Sequence, residues 1–276
     1  ADAKLPQFGI SFTPPDVNVS VHRFEPAPGR AGDKLIHYGL GAIKGTGQGA
    51  VEAIVAAREG RTEQSDVARP FSSIFDFAKR VDRSRVNKRV VDALVKAGAF
   101  DSLHPDRAST LASVGLAFEW ADAQAAHAQQ SGLFDFGGAD EHGASTQEPA
   151  LVQAEPWSIR ERLTLEKTAI GFYLSGHMFD QYEPEVRKFC KRRIADLIDS
   201  REPQILCGIV GDLRVVNGQR DRVAIFKVDD KSEAIEAVAN ETLLDANRDA
   251  LRDDELVVVQ GKVQPDRFSG GLRLNV

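Results

Sequence analysis

LIHYGLGAIKGTGQGAVEAIVAAR, residues 35–58, is the stretch on which the reading of this 276-residue chain turns. At its centre Ile43-Lys44-Gly45-Thr46-Gly47 sets two glycines around one residue, and Ala50, Val51, Ile54 and Val55 then recur at helical spacing. The pattern predicts a helix, a tight hairpin and a second helix. Glycine adopts positive φ without a Cβ clash and lets the backbone approach a ligand, while the following helix begins with unpaired N–H groups. A phosphate suits such a place. Lys44, Gly45, Thr46 and Gly47 are therefore candidate phosphate contacts, although a GxG alone also fits a ligand-free turn between helices.

Working outward, Val86, Val90, Val91, Leu94 and Val95 form a second apolar stripe. Lys96-Ala97-Gly98-Ala99-Phe100 stands where the first unit has its hairpin, and an alanine- and leucine-rich helix follows over 107–126. This predicts a degenerate repeat of the first unit. Residues 79–96 hold seven basic side chains against Asp82 and Asp92. Lys79, Arg80, Arg85, Lys88 and Arg89 are candidate phosphate contacts beside the first hairpin, the alternative being an ordinary solvated face. On the N-terminal side, Pro14 and Pro15 predict an extended lead-in over 1–37.

Helical periodicity stops near residue 128, and 129–156 has the Gly, acid and Pro content of a linker. Inside it, Gln130-Ser131-Gly132-Leu133-Phe134 puts large apolar side chains on a polar segment. Such a string suits a peptide that docks into another protein, with Leu133 and Phe134 supplying buried area and Gln130 orienting amide bonds. It could also pack back on its own helices. A helical connector is expected over 157–203, opening with the capping-box pattern Ser158-Ile159-Arg160-Glu161, and 187–193 holds five basic residues in seven. That run fits either phosphate contact or a solvated face.

From Gln204 the period becomes two. Strands are predicted over 205–216, 223–228, 234–239, 256–263 and 271–276, with a helix over 242–252 before the fourth. Five strands in that plan predict an OB-fold barrel. Such barrels bind single-stranded nucleic acid through aromatics and a basic groove, which makes Arg214, Arg222, Phe226 and Phe268 possible contacts. The overall class is α+β and multi-domain: an all-α helix-hairpin-helix pair over 38–128, the linker, the connector and the barrel over 204–276.

Composition limits the alternatives. Net charge is −6, but 1–110 balance at +3, 111–160 at −6, 161–203 at zero and 204–276 at −3. Charge thus marks modules. Cys190 and Cys207 lack CxxC spacing, which excludes a zinc ribbon, and the six histidines never fall at HxH or HxxxH spacing. No run approaches the length of a membrane span, so a cytoplasmic chain is expected. The alternating end at Leu272-Arg273-Leu274-Asn275-Val276 is expected to be a cut in a longer polypeptide.

Taken in order, PPDVN (14–18), YGLGAIKGTGQGAVEAIVAAR (38–58), PFSSIFDFAKRVD (70–82), VNKRVVDALVKAGAFD (86–101), QSGLF (130–134), LEKTAIGFYLSGH (165–177) and FSGGLRL (268–274) resemble the C-terminal part of the bacterial replicative DNA polymerases of the C family, the polymerase III α subunits. The resemblance implies that Lys44, Gly45, Thr46 and Gly47 grip the backbone of primer-template duplex. It implies that Gln130, Leu133 and Phe134 hold the sliding clamp, and that the barrel meets single-stranded template. Other holoenzyme subunits would be met through regions outside this chain. Met178 stands where the family usually has proline.

The family's metal-binding palm aspartates lie upstream of everything matched. The resemblance therefore implies Mg2+ and DNA-directed DNA polymerase activity for a parent polypeptide, with no cofactor and no catalytic residue in this piece. Two other readings stay open: a stand-alone DNA-binding adaptor, and a fragment holding a catalytic metal through Asp229-Asp230 or Asp253-Asp254-Glu255.

Overall fold

The computed structural model describes residues 4–5, 10–28, 34–62, 67–131, 147–200, 202–217, 221–266 and 270–276. It divides the chain into two compact units, Ala1–Ser175 and Gly176–Val276. The boundary falls inside the expected connector 157–203, so its first helix belongs to the first unit and its remainder to the barrel unit.

The first unit opens with β1 (Lys4–Leu5), β2 (Ile10–Thr13), β3 (Glu25–Pro26) and β4 (Lys34–His37), a small sheet in the order β1-β2-β4-β3. The lead-in is therefore a sheet, with β2 and β4 parallel. Then come α1 (Gln48–Arg58), α2 (Ile74–Arg80), α3 (Lys88–Lys96), α4 (Arg107–Ser131) and α5 (Ile159–Ile170). Side-chain caps set several starts: Ser73 accepts from the Asp76 amide, Asn87 from the Val90 amide and Ser158 from the Glu161 amide. Ile43, Val51, Ile54, Phe75, Phe77, Val91, Leu94 and Phe100 fill one core with Ala169 and Ile170 of α5.

Among the described residues no α-helix precedes the first hairpin. Strand β4 runs directly into a single 3-10 turn, Leu40–Ala42. The reason is close approach: a Cβ on Gly39 would lie 2.6 Å from the Arg23 carbonyl carbon, and one on Gly41 2.5 Å from the His22 ring. The Leu40 and Gly41 amides donate to Val21 and His22 carbonyls, which uses the backbone in a way a regular helix could not. At the other end, α4 runs through Ser131, past the expected stop near 128, because 121–130 are mostly alanine and glutamine, good helix formers. Part of the expected linker is also packed, since the Val152 and Ala154 amides donate to Ser113 and Ser109 hydroxyls of α4.

The second unit contains α6 (Glu183–Val186), β5 (Gln204–Asn217), β6 (Arg222–Asp229), β7 (Ala234–Asn240), α7 (Glu241–Ala246), β8 (Leu256–Pro265) and β9 (Leu272–Asn275). The strands form a barrel in the order β5-β6-β7-β9-β8, with the long β5 pairing both β6 and β8. Helix α7 lies between the third and fourth barrel strands, as the OB plan requires. Alternation sends Leu206, Val210, Ala224, Phe226, Val228, Ala237, Val263 and Leu274 into one core.

Candidate nucleic-acid interface

The first hairpin is open to solvent. Gly45 has φ of +85°, and a Cβ there, or at Gly47, would meet nothing within 4 Å. Helix α1 starts at Gly47 with no side-chain cap and no acid in its first turn, so no cap or acid of that turn occupies the positive end of its macrodipole. Among the described residues, the Gly45 and Gly47 amides reach no backbone carbonyl. Lys44 is exposed, and its own amide is tied back to the Ala169 carbonyl at 2.8 Å, so the end of α5 braces the loop. Thr46 differs from its neighbours. It is buried, its amide donates to Ile43 within the turn, and its Oγ1 has no hydrogen-bond partner among the described residues.

The second hairpin repeats the left-handed glycine but not the opening. Gly98 also has φ of +85°, yet its Cβ position lies 2.2 Å from Arg107 Nη2. Arg107, buried, donates to Asp101 at 2.7 Å and to the fully buried Glu166 at 3.0 Å. The start of α4 is occupied by Asp106, which accepts from the Ala108 amide and the Ser109 hydroxyl. The Ser109 hydrogen bond holds the Asp106 carboxyl below its ordinary range, so an anion already sits where a phosphate would go. The repeat is therefore degenerate in function-bearing groups as well as in sequence.

The basic run 79–96 separates into two sets. Lys79, on α2, and Lys88 and Arg89, at the start of α3, are exposed and form no ion pair among the described residues. Lys88 and Arg89 sit in a first helical turn, where the macrodipole disfavours cations, so helix stability does not account for them. Arg85 is exposed with Asp82 at 3.5 Å. Arg80 is interior. It bonds Asp76 at 3.1 Å and the Ala57 carbonyl at 2.7 Å and stacks on Phe71 at 4.7 Å, so it is a structural cation and not a surface contact. Its place four residues after Asp76, with aromatic neighbours, was the available signal.

On the barrel, Phe226 is 2 % exposed and faces the core, which removes it from the surface. Arg214 pairs with Glu236 at 3.3 Å, and Arg222 with Glu241 at 2.6 Å and Asp245 at 3.5 Å. These barrel cations are thus neutralised by their own strands and by α7. Phe268, Leu133 and Phe134 lie outside the described residues, as does the Gln130 side chain.

The acid pairs are committed to the protein. Asp230 is buried and accepts from Arg187 at 2.7 Å, from the Ile194 amide at 3.0 Å and from Ser232. Burial opposes its ionisation, but the Ser232 and Arg187 bonds outweigh it and keep the carboxyl below the ordinary range. Asp229 faces His177 at 3.2 Å, and Asp253 accepts from the Leu213 amide. Among the described residues no group of His, Cys, Asp or Glu is arranged to hold a metal ion. Among them, too, no helix is long and apolar enough to cross a membrane. His177 caps the turn over Met178–Gln181 and Asp180 answers it, so this turn keeps its shape without a proline at Met178.

Residues 9–110 match the family model described as a helix-hairpin-helix motif. DNA polymerase III subunit alpha of Neisseria meningitidis serogroup B is 39% identical over 269 residues, covering 97% of this chain and 22% of that protein. The Pseudomonas aeruginosa protein of the same name is 40% identical over 96% of the chain and 23% of its own length, and that of Escherichia coli K12 is 32% identical over 97% and 22%. The chain therefore spans about a fifth of the length of the curated relatives it matches. An open hairpin in a helical repeat, an OB-type barrel and identity along nearly the whole chain agree: the chain matches the C-terminal region of bacterial DNA polymerase III α subunits.

Proposed function

We propose that this chain is the duplex-positioning and clamp-holding part of a replicative DNA polymerase and carries no chemistry of its own. The carrying observation is the first hairpin, which leaves Gly45 and Gly47 amides, an uncapped α1 and the exposed Lys44 together on one braced loop. Amides and a lysine bind phosphate without reading bases, which is what a polymerase needs as duplex of any sequence leaves it. Lys79, Lys88 and Arg89, with Arg85, add cations of the same kind. Thr46 supports the loop from inside.

Gln130, Leu133 and Phe134 are proposed to hold the sliding clamp, keeping the parent enzyme on its template. The parent polypeptide would supply the Mg2+-dependent nucleotidyl transfer and meet further holoenzyme subunits through other regions, on the nucleoid in the cytoplasm.

The test is duplex binding by the 276-residue chain against salt. Lys44→Glu and Gly45→Asp should weaken binding at every sequence, with a salt slope lower by about 0.9 for each phosphate no longer neutralised. Unchanged affinity and slope in both variants would remove the hairpin from the interface.

A further inference from the structure

The basic run 187–193, which the duplex reading does not use, is held in the barrel unit as a rigid display. One buried carboxylate clamps both ends, because Asp230 accepts from the Arg187 guanidinium at 2.7 Å and from the Ile194 amide at 3.0 Å. The middle is pinned by Cys190, buried, whose thiol donates to the Ile205 carbonyl at 3.5 Å. Between the clamps the segment after Cys190 has no regular secondary structure, and Arg193, just before the next turn, has an extended backbone. Cys190 and Ile194 are buried, and Lys191, Arg192 and Arg193 between them are all exposed; Arg192 is tied to Gln204, and Phe189 is 65% exposed just before them.

This arrangement is costly for the isolated protein. An aromatic ring is left in water on a backbone that cannot turn it inward, since the Phe189 and Cys190 amides are both bonded to Val186. Lys191 and Arg193 form no ion pair among the described residues, in a unit where Arg187, Arg214, Arg222, Lys227, Lys231, Arg248, Arg252 and Arg273 all have acidic partners. Arg192 and Lys262 likewise have no acidic partner among the described residues, so three of the unit's four cations without one, Lys191, Arg192 and Arg193, lie in the run that follows the exposed ring.

We propose that Phe189, Lys191 and Arg193 form a binding site for single-stranded nucleic acid, with a base stacked on Phe189 and the adjoining phosphates on Lys191 and Arg193. A ring face accepts any base once it is unpaired, and cations beside it track the backbone. In duplex the base faces are already stacked, so the ring selects for single strands. The exposed apolar Ile205, whose carbonyl the Cys190 thiol bonds, extends the platform. The site replaces Phe226, Arg214 and Arg222 as the strand contact of this unit. It rests on the nucleic-acid reading above but not on the hairpin.

The experiment measures fluorescence anisotropy of a labelled oligothymidylate with the whole chain, beside a duplex of the same length. Phe189→Ala should weaken oligothymidylate binding about ten-fold with little effect on duplex, and Phe189→Trp should retain it. The double variant Lys191→Gln/Arg193→Gln should lower the single-strand salt slope by about 1.4, from about 0.7 per phosphate. All three side chains are exposed, and an unchanged melting temperature confirms that the variants fold. Gly45→Asp should do the reverse, losing duplex and keeping oligothymidylate. Absence of oligothymidylate binding by the native chain, equal loss on duplex in Phe189→Ala, or capture by anionic phospholipid vesicles instead would each overturn the site. Loss through Phe189 with no effect of Gly45→Asp on duplex would leave this site standing and remove the hairpin reading.

Discussion

Gly45 and Gly98 share a φ of +85°, but a Cβ at the first would meet empty space and at the second would strike the guanidinium of Arg107 at 2.2 Å. Two hairpins with the same left-handed glycine have been put to different uses. One faces outward with its Gly45 and Gly47 amides free of backbone partners among the described residues, and the other is plugged by an ion pair that fastens α5 to the repeat.

That contrast makes a stability prediction. Gly45→Ala should cost about 1 kcal/mol, the ordinary penalty of a left-handed alanine. Gly98→Ala carries the same penalty and also displaces Arg107 from Asp101 and Glu166, so its total should reach about 3 kcal/mol or more. Urea denaturation of the two variants measures the difference, and equal midpoints would show that the Arg107 network relaxes freely.

The clamp assignment predicts a separable phenotype. The native chain should bind a purified bacterial sliding clamp, and Leu133→Ala/Phe134→Ala should lose that binding while keeping duplex affinity, because hot-spot side chains dominate such peptide contacts. Surface plasmon resonance with immobilised clamp reads this directly. Equal binding by both chains would leave the QSGLF segment without that role.

Asp76 predicts acid sensitivity in the first unit. Burial opposes its ionisation, but bonds from Arg69, the Ser72 amide and Arg80 prevail and hold its carboxyl below the ordinary range. A depressed folded-state value contributes stability that is present above the unfolded value, about 3.9, and is lost as pH falls through the folded value. Asp76→Asn should remove part of that acid-limb dependence. It should also destabilise the unit at pH 7 by about 3 kcal/mol, because Arg80 is left buried without its anion. Thermal melts between acidic and neutral pH check both parts.

The two thiols should be inert in the folded chain. Burial, followed by its hydrogen bond with the Cys190 thiol, pushes Cys207 up to about 12, and both residues are buried. Since thiolate is the reactive form, iodoacetamide at pH 8 should label neither cysteine until denaturant is added. Mass spectrometry counts the adducts, and rapid labelling of Cys207 without denaturant would contradict the burial.

Much of the architecture was legible in the residues. Apolar side chains at helical spacing place α1 and α3, Ser73, Asn87 and Ser158 mark helix starts, and the change to period two at Gln204 announces the barrel with its single inserted helix. The open hairpin was legible too, because glycine at a left-handed position needs only local geometry. What could not be read was which charges are interior. Arg80 and Arg89 look alike in one basic run, yet Arg80 is paired beneath the surface and Arg89 is exposed. Phe226 and Phe189 are both aromatics in the second half, yet the first lies in the barrel core and the second is exposed.

Periodicity, glycine placement and capping residues act over a few neighbours, and those alone mark the helices after each hairpin glycine and the OB-type barrel, whereas the 3-10 turn in place of a first helix depends on the approach of Arg23 and His22. The assignment of each charged or aromatic side chain to surface or interior depends on partners far away in sequence. Glu166 closes the second hairpin from 59 residues beyond Arg107, and Asp230 clamps Arg187 from 43 residues on. Such contacts exist only after the elements have packed. A buried charge is tolerable only where its counter-charge arrives with it, so the tertiary structure decided which groups remain free to meet a ligand.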